Sequence, residues 1–306
     1  MSLISILLTI TGLCVFETIS SIDNAIINAE VLATMDRKTR RLFLGVGLFF
    51  AVIVVRGMLP WLIVWAVLPR LGFFGSFTAS FSGDPLVHQA VIAAAPVLLV
   101  GGGTFLVLLF LHWLFIEPKN FGLHTERFLA NRGKLFIAVA FCFVVFVSLL
   151  SLMRDFRMTL STLIGLLVFV VSHGLKENAE SGEEQLLKRK YSDLRKLIFL
   201  EIIDATFSID GVLGAFAFTL SIPLILLGNG LGALVVRQLT VGNISRVKKY
   251  IYLKNGAMYS IFFLGLIMLC DAFGMDLPAW ISPIATFLIV GFFFWKSVRG
   301  QVRHKN

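Results

Sequence analysis

The sequence predicts an all-α membrane protein, a polytopic helical bundle with about nine spans. Of its 306 residues 58% are hydrophobic and only 15% are charged, whereas soluble domains carry charge at about a quarter of their positions. The mean hydropathy is +0.90, and apolar runs near the ~20 residues that cross a bilayer recur along the chain. These observations exclude an ordinary soluble domain.

Nine apolar runs account for the predicted spans. Each is close to the length that crosses the hydrocarbon core of a bilayer. They cover residues 3–33, 43–67, 91–115, 135–153, 159–174, 198–220, 222–241, 257–273 and 280–296. The cysteines Cys14, Cys142 and Cys270 all lie within these runs without paired spacing. Neither a disulfide framework nor a thiolate metal site is therefore indicated.

Basic residues are concentrated in alternate connections between the spans. Of the 27 Lys and Arg residues, 22 lie within residues 37–41, 119–134, 176–196, 246–254 and 296–305, and the other connections hold only Arg70, Arg154 and Arg157. The positive-inside rule predicts that the basic connections and the C-terminus are cytoplasmic and that the N-terminus lies outside. The net charge of +9 is thus a sign of membrane topology, and we expect anionic lipid headgroups, not nucleic acid, as its partners.

The longest polar connection, residues 175–197, divides the chain into two transmembrane halves. The first half comprises residues 1–174 and the second comprises residues 198–306. The connection is acidic at its start and basic toward its end. We interpret it as a cytoplasmic linker or surface helix, with cation sensing by its glutamates as the alternative.

The first span contains more polarity than a membrane helix normally holds. Its segment FETISSIDNAIINAE begins at Phe16 and carries Glu17, Ser20, Ser21, Asp23, Asn24 and Asn28. A charged side chain near the bilayer centre costs about 2.5–3.5 kcal/mol on insertion scales. Polarity of this density therefore indicates a functional site.

The sixth span repeats this polar pattern. Its segment EIIDATFSIDGVLGAF begins at Glu201. When Ser208-Ile209-Asp210 is aligned with Ser21-Ile22-Asp23, the preceding acid Asp204 falls on Glu17. Both segments then follow the pattern acid-x-x-x-Ser-x-Asp.

Each acidic span is followed by a span in which an arginine stands nine residues after a glycine. GLFFAVIVVR runs from Gly47 to Arg56, and GNGLGALVVR runs from Gly228 to Arg237. Two paired elements in the same order indicate that spans 1–3 and 6–8 are repeats. Because these units would enter the membrane from opposite sides, we expect inverted repeats, which are typical of secondary transporters with a site near the midplane.

The aspartate of each motif does not share a helix face with the other polar residues. At 100° per residue Asp23 lies roughly 120° from the polar stripe, and Asp210 is offset as well. Either each aspartate faces a different neighbouring helix, or the helix unwinds at Asp23-Asn24 and Asp210-Gly211. We favour unwinding, because freed carbonyl oxygens would add ligands to a cavity.

Five acidic residues and two arginines lie at membrane depth: Glu17, Asp23, Glu201, Asp204 and Asp210, with Arg56 and Arg237. Two ion pairs would leave three carboxylates that need protons or a bound cation. Oxygen ligands suit hard divalent ions such as Mg²⁺, Ca²⁺ and Mn²⁺, and protons on the same carboxylates would offer a means of coupling. The predicted metal ligands are Glu17, Ser21, Asp23, Asn24, Glu201, Asp204, Ser208 and Asp210, with Arg56 and Arg237 as counter-ions. The alternative is that these charges only hold the bundle together.

The motifs resemble those of the TerC-like integral membrane proteins, which are named for tellurium resistance and belong to a lysine-exporter-type superfamily. The first motif matches through Glu17, Ser21, Asp23 and Asn24, the second through Glu201, Asp204 and Asp210, and the arginine spans through Arg56 and Arg237. The resemblance covers most of the chain. It fails at Lys254, Asn255 and Met258, where related members are expected to have acidic residues and histidine.

The resemblance implies export of divalent metal ions, manganese above all, through an inverted-repeat bundle in a bacterial-type inner (plasma) membrane. We therefore expect a transporter and not an enzyme, with the cation as substrate and without a cofactor. Whether the chain forms a homo-oligomer is left open.

Two other functions compete with transport. An intramembrane aspartyl protease could use Asp23 and Asp210, but Gly-x-Gly-Asp is absent and the surplus charges would have no role. A non-transporting partner could instead dock a metal-stress or secretion complex through residues 175–197.

Overall fold

The computed structural model describes residues 2–47, 49–50, 52, 57–58, 61–62, 65, 69–81, 85–119, 122–188, 191–242 and 249–303. Within its helices, the side chains of residues 23–24, 27, 44, 79–81, 85–88, 90–91, 124, 179–188, 203, 207, 241–242 and 300–303 are not described. Of the predicted site, Arg56 and the side chains of Asp23 and Asn24 therefore lie outside the described part.

The regular secondary structure of the described residues is entirely helical, with no β-strand. The helices are α1 (Leu3–Ser20), α2 (Ile22–Ala33), α3 (Arg37–Leu42), α4 (Phe73–Phe81), α5 (Pro85–Phe115), α6 (His124–Ala130), α7 (Leu135–Leu152), α8 (Phe156–Lys188), α9 (Asp193–Ala215), α10 (Ile222–Gly242), α11 (Leu253–Ala272) and α12 (Ile281–Arg303). A π-helical turn, Phe43–Gly47, follows α3, and a 3₁₀ turn, Pro69–Leu71, precedes α4.

Seven of the described helices are long and apolar enough to cross a membrane, so the chain is an integral membrane protein. They are Leu3–Ser20, Ile92–Phe115, Leu135–Leu152, Phe156–Asn178, Ile222–Thr240, Leu253–Ala272 and Ile281–Arg299. About half of the predicted span 43–67 lies outside the described residues. The span 198–220 corresponds to α9, which has 23 residues but carries three acidic side chains between residues 201 and 210. The count of nine spans stays a prediction.

The predicted unwinding at Asp210-Gly211 is wrong, and in the first motif the helix is interrupted before, not at, the predicted Asp23-Asn24. The first span is interrupted at Ser21, two residues before Asp23. The hydrogen-bond ladder continues across this residue, because the Ser21 amide donates to the Glu17 carbonyl at 3.1 Å and the Ala25 amide donates to Ser21 at 2.9 Å. In the second motif α9 runs without a break through Asp210 and beyond.

Helix α1 packs parallel to α10 through two glycines. A Cβ atom at Gly228 would overlap the side chain of Leu13, and one at Gly232 would come within 2.6 Å of Glu17 Cβ. The later residue of α1, Glu17, contacts the later glycine of α10, Gly232, so the two helices run in the same direction. Small residues at this spacing let helix backbones approach closely.

The same helix runs antiparallel to α9. A Cβ atom at Gly211 would overlap the carboxylate of Glu17, and one at Gly214 would overlap the ring of Phe16. The earlier residue of α1, Phe16, contacts the later glycine of α9, Gly214, so residue numbers rise along one helix as they fall along the other. The two helices that carry the acidic motifs therefore meet in opposite orientation, as expected for inverted repeats, although the repeat itself stays a prediction.

Helix α5 forms the centre of the largest apolar core. It packs closely against α8, where a Cβ atom at Gly165 would overlap the backbone of Gly101. It packs against α11 on another side, where a Cβ atom at Gly103 would lie 2.9 Å from the carbonyl of Gly265. This core gives a fixed support for α9, which contacts both α5 and α8.

The connection between α2 and α3 is tied to the beginning of α9. The Lys196 ammonium donates to Thr34 Oγ1 at 2.8 Å, next to the C-terminal end of α2, where a cation is favoured by the helix dipole. The amide of Asp36 donates to Asp193 Oδ2 at 2.9 Å. The two motif-bearing units are thus joined at this end of the bundle as well.

Candidate cation site

Arg237 on α10 is a buried cation that holds two acidic side chains of α9. Its Nη2 lies 3.3 Å from Glu201 Oε1 and 3.5 Å from Asp204 Oδ2. Glu201 and Asp204 are three residues apart and therefore lie on one helix face. The guanidinium also donates to the carbonyl of Phe43 and lies over its ring, 4.0 Å from the centroid.

A glycine in the π-helical turn allows this ion pair to form. A Cβ atom at Gly47 would overlap Glu201 Oε1 and lie 2.8 Å from Arg237 Nη1. Gly47 is the first residue of the glycine–arginine element that follows the first motif. Its role here is to let the backbone approach the charged pair, since any side chain would displace it.

Asp210 points away from Arg237, toward α8. Its Oδ2 lies 2.5 Å from Lys176 Nζ, and the two side chains are 12% and 13% exposed. Six residues separate Asp204 from Asp210, which corresponds to about 120° around the helix and about 9 Å along it. Asp210 therefore faces a different neighbouring helix from Asp204, and of the two explanations offered for the offset of Asp23 and Asp210, the one other than unwinding holds for Asp210.

Glu17 lies at the contact of α1 with α9, against Gly211, the residue that follows Asp210. It is 1% exposed, and its Oε1 accepts a hydrogen bond from Ser21 Oγ at 3.0 Å. Its carboxylate occupies the space where Gly211 would carry a Cβ atom. From α10, Asn229 donates to the carbonyl of the same glycine at 3.4 Å. Three helices thus bring oxygen-bearing side chains together here.

Three buried oxygen atoms in this region have no hydrogen-bond partner within the described part of the chain: Ser208 Oγ, Asp210 Oδ1 and Asn229 Oδ1. A buried polar atom without a partner costs about 1–3 kcal/mol. Hydroxyl, carboxylate and amide oxygens are also the ligands that hard divalent cations prefer. The chemistry of these atoms therefore suits a cation.

The described side chains do not form a complete metal site. No group of three His, Cys, Asp or Glu residues lies close enough to hold a metal ion among the residues searched. Glu201 and Asp204 contact Arg237, Asp210 contacts Lys176, and the side chain of Asp23 is not described.

Lys176 is the residue that sequence reasoning missed. It was assigned to the polar connection 175–197, because the apolar run ends at Gly174. Helix α8 continues to Lys188, which brings Lys176 beside Asp210. The available signal was its position within one turn of an apolar span, from which a long side chain reaches back along the helix.

The chain matches, over residues 22–304, the family described as protein of unknown function (DUF475). The match begins just after Ser21 and includes Asp210, Lys176 and Arg237. No curated protein and no solved structure matches the chain.

Proposed function

The chain belongs to the DUF475 family, and from this premise we propose that it moves divalent metal cations across the membrane through the contact of α1, α9 and α10. The resemblance to TerC-like proteins supports manganese as the substrate and export as the direction. The basic connections support an N-terminus outside and a C-terminus in the cytoplasm. The antiparallel contact of α1 with α9 supports alternating access around a fixed site.

The observation that carries the proposal is the environment of Asp210. One carboxylate oxygen contacts an ammonium group, and the other is buried without a hydrogen-bond partner in the described residues. The buried Glu17 carboxylate lies against the adjacent glycine. Such a concentration of negative charge in a membrane bundle is stabilised by a positive guest.

Arg237 and Lys176 have different roles in this proposal. Arg237 contacts two carboxylates and a carbonyl oxygen, so it holds Glu201 and Asp204 in place. Lys176 contacts Asp210 through the ammonium group at the end of a flexible side chain. We assign it the role of a tethered competitor, which leaves Asp210 when a metal cation binds and returns when the cation is released. This exchange avoids an uncompensated buried carboxylate, which is costly.

Mn²⁺ uptake into proteoliposomes tests the proposal. We expect wild-type protein to transport Mn²⁺ and Glu17→Gln to transport at least tenfold more slowly, because a neutral amide is a weaker ligand than a carboxylate. Glu30→Gln is the matched control, since Glu30 is exposed on α2, and it should behave as wild type.

Liposomes with wild-type protein that take up no more Mn²⁺, Mg²⁺ or Ca²⁺ than protein-free liposomes would contradict transport. That result, together with capture of partners through residues 175–197, would favour the docking function instead.

A further inference from the structure

A large cavity lies beside the crossing of α5 and α8. Its volume is about 1200 Å³, and its walls come from α5, α8, α9 and the 3₁₀ turn Pro69–Leu71. The walls are mainly apolar, with Leu98, Phe105, Leu160, Ile164, Val168 and Ile209 among them. A hydrated divalent cation would lose its water shell without replacement here. The cavity therefore suits an apolar ligand and not the transported ion.

One end of the cavity is charged. Arg70 and Arg157 line it there, together with Asp155, and all three are exposed. Asp155 is engaged locally, because its Oδ1 accepts the backbone N–H of Arg157 at 2.8 Å. The two guanidinium groups give this end a net positive charge. Arginine binds phosphate oxygens through paired hydrogen bonds.

The length of the cavity suits one lipid chain. Along α8 its lining extends from Arg157 to Ser172, which corresponds to about 22 Å of helix at 1.5 Å per residue. One leaflet contributes about half of the ~30 Å hydrocarbon core. An acyl chain of one leaflet can therefore lie in the cavity while its headgroup stays at the charged end.

We propose that this cavity binds an anionic phospholipid, with an acyl chain along α8 and the phosphate at Arg70 and Arg157. The lipid would pack against Ile209 and Val212, which line the cavity from α9 and flank Asp210. The site is separate from the cation site in its chemistry, and the proposal does not depend on transport.

Native mass spectrometry of the protein released from nanodiscs tests this site. The nanodiscs contain equal amounts of phosphatidylglycerol and phosphatidylcholine with identical acyl chains. We expect the wild type to retain phosphatidylglycerol at least fivefold over phosphatidylcholine, and Arg70→Gln/Arg157→Gln to lose this preference. Both arginines are exposed, so the double variant is expected to fold.

Arg154→Gln is the matched control. Arg154 is exposed at the same end, but it does not line the cavity and donates instead to the carbonyl of Phe273 at 3.3 Å. This variant should keep the preference for phosphatidylglycerol. Ala94→Phe, which places a ring in the cavity, should reduce retention of both lipids.

Three outcomes would overturn the proposal. They are equal retention of the two lipids by the wild type, an unchanged preference in Arg70→Gln/Arg157→Gln, and the absence of any retained lipid on folded wild-type protein. Displacement of the lipid by millimolar inorganic phosphate would show that the arginines bind a soluble anion, and it would overturn the proposal equally.

Discussion

Asp210→Asn is expected to reduce Mn²⁺ uptake into proteoliposomes at least tenfold. The substitution removes the negative charge that faces Lys176 while it keeps the size of the side chain. Asp210 Oδ1 is buried and has no hydrogen-bond partner among the described residues, so the substitution removes a metal ligand together with the ion pair between Asp210 Oδ2 and Lys176. Tenfold corresponds to about 1.4 kcal/mol.

Asp276→Asn is the control for this substitution. Asp276 is exposed in a turn and has a φ of 43°, a conformation that Asn adopts as readily as Asp. Proteoliposomes with Asp276→Asn should take up Mn²⁺ at the same rate as those with the wild type. Equal uptake by Asp210→Asn and Asp276→Asn would remove Asp210 from the transport site.

Lys176→Met is expected to strengthen the binding of a divalent cation. Without the ammonium, Asp210 becomes a buried carboxylate that lacks the charge it contacts in the native structure. A divalent cation then binds without displacing a competitor, so we expect its dissociation constant to fall at least tenfold. A weaker or unchanged affinity would contradict the role of Lys176 as a competitor. The Asp210→Asn variant would still test whether Asp210 belongs to the cation site.

Arg237→Met is expected to destabilise the protein by about 3–5 kcal/mol, the usual cost of removing one partner from a buried ion pair. Arg237 is 5% exposed and contacts Glu201 and Asp204. Its removal leaves two acidic side chains without this cation in a low-dielectric environment. Thermal unfolding in detergent should show a clear decrease in melting temperature.

The exposed pair of Lys254 and Glu117 supplies a matched control. Its atoms lie 2.7 Å apart, but the side chains are 42% and 36% exposed. Lys254→Met should cost about 0–1 kcal/mol, as is usual for surface pairs. The double variant Arg237→Met/Glu201→Gln should recover part of the lost stability. A loss in Arg237→Met no larger than that in Lys254→Met would contradict the importance of the buried pair.

The helical membrane fold could be predicted because it follows from apolar run length alone. The polar residues of both motifs could also be located, since charge in an apolar span is conspicuous in a sequence. The 120° offset of Asp210 from Asp204 could be calculated from helical rotation. The helix that Asp210 faces could not be predicted, because it depends on how α8 packs against α9.

Gly211 shows why the unwinding prediction failed. A glycine after an acidic residue in a span is consistent with a break in the helix. In the structure α9 is continuous, and Gly211 is needed because the Glu17 carboxylate occupies the position of a Cβ atom. A glycine that breaks a helix and a glycine that makes room for a neighbouring side chain look the same in a sequence. Only the packing of α1 against α9 distinguishes the two roles. Lys176 was missed for a related reason, since hydropathy marks where an apolar run ends but not where its helix ends.

Binding of Mn²⁺ to purified protein, followed by electron paramagnetic resonance, tests most directly whether the buried carboxylates hold a divalent cation. We predict saturable Mn²⁺ binding by the wild type and by Asp276→Asn, tighter binding by Lys176→Met, and loss of binding in Glu17→Gln/Asp210→Asn. Undiminished binding in that double variant, or no binding by the folded wild type, would contradict the proposed site.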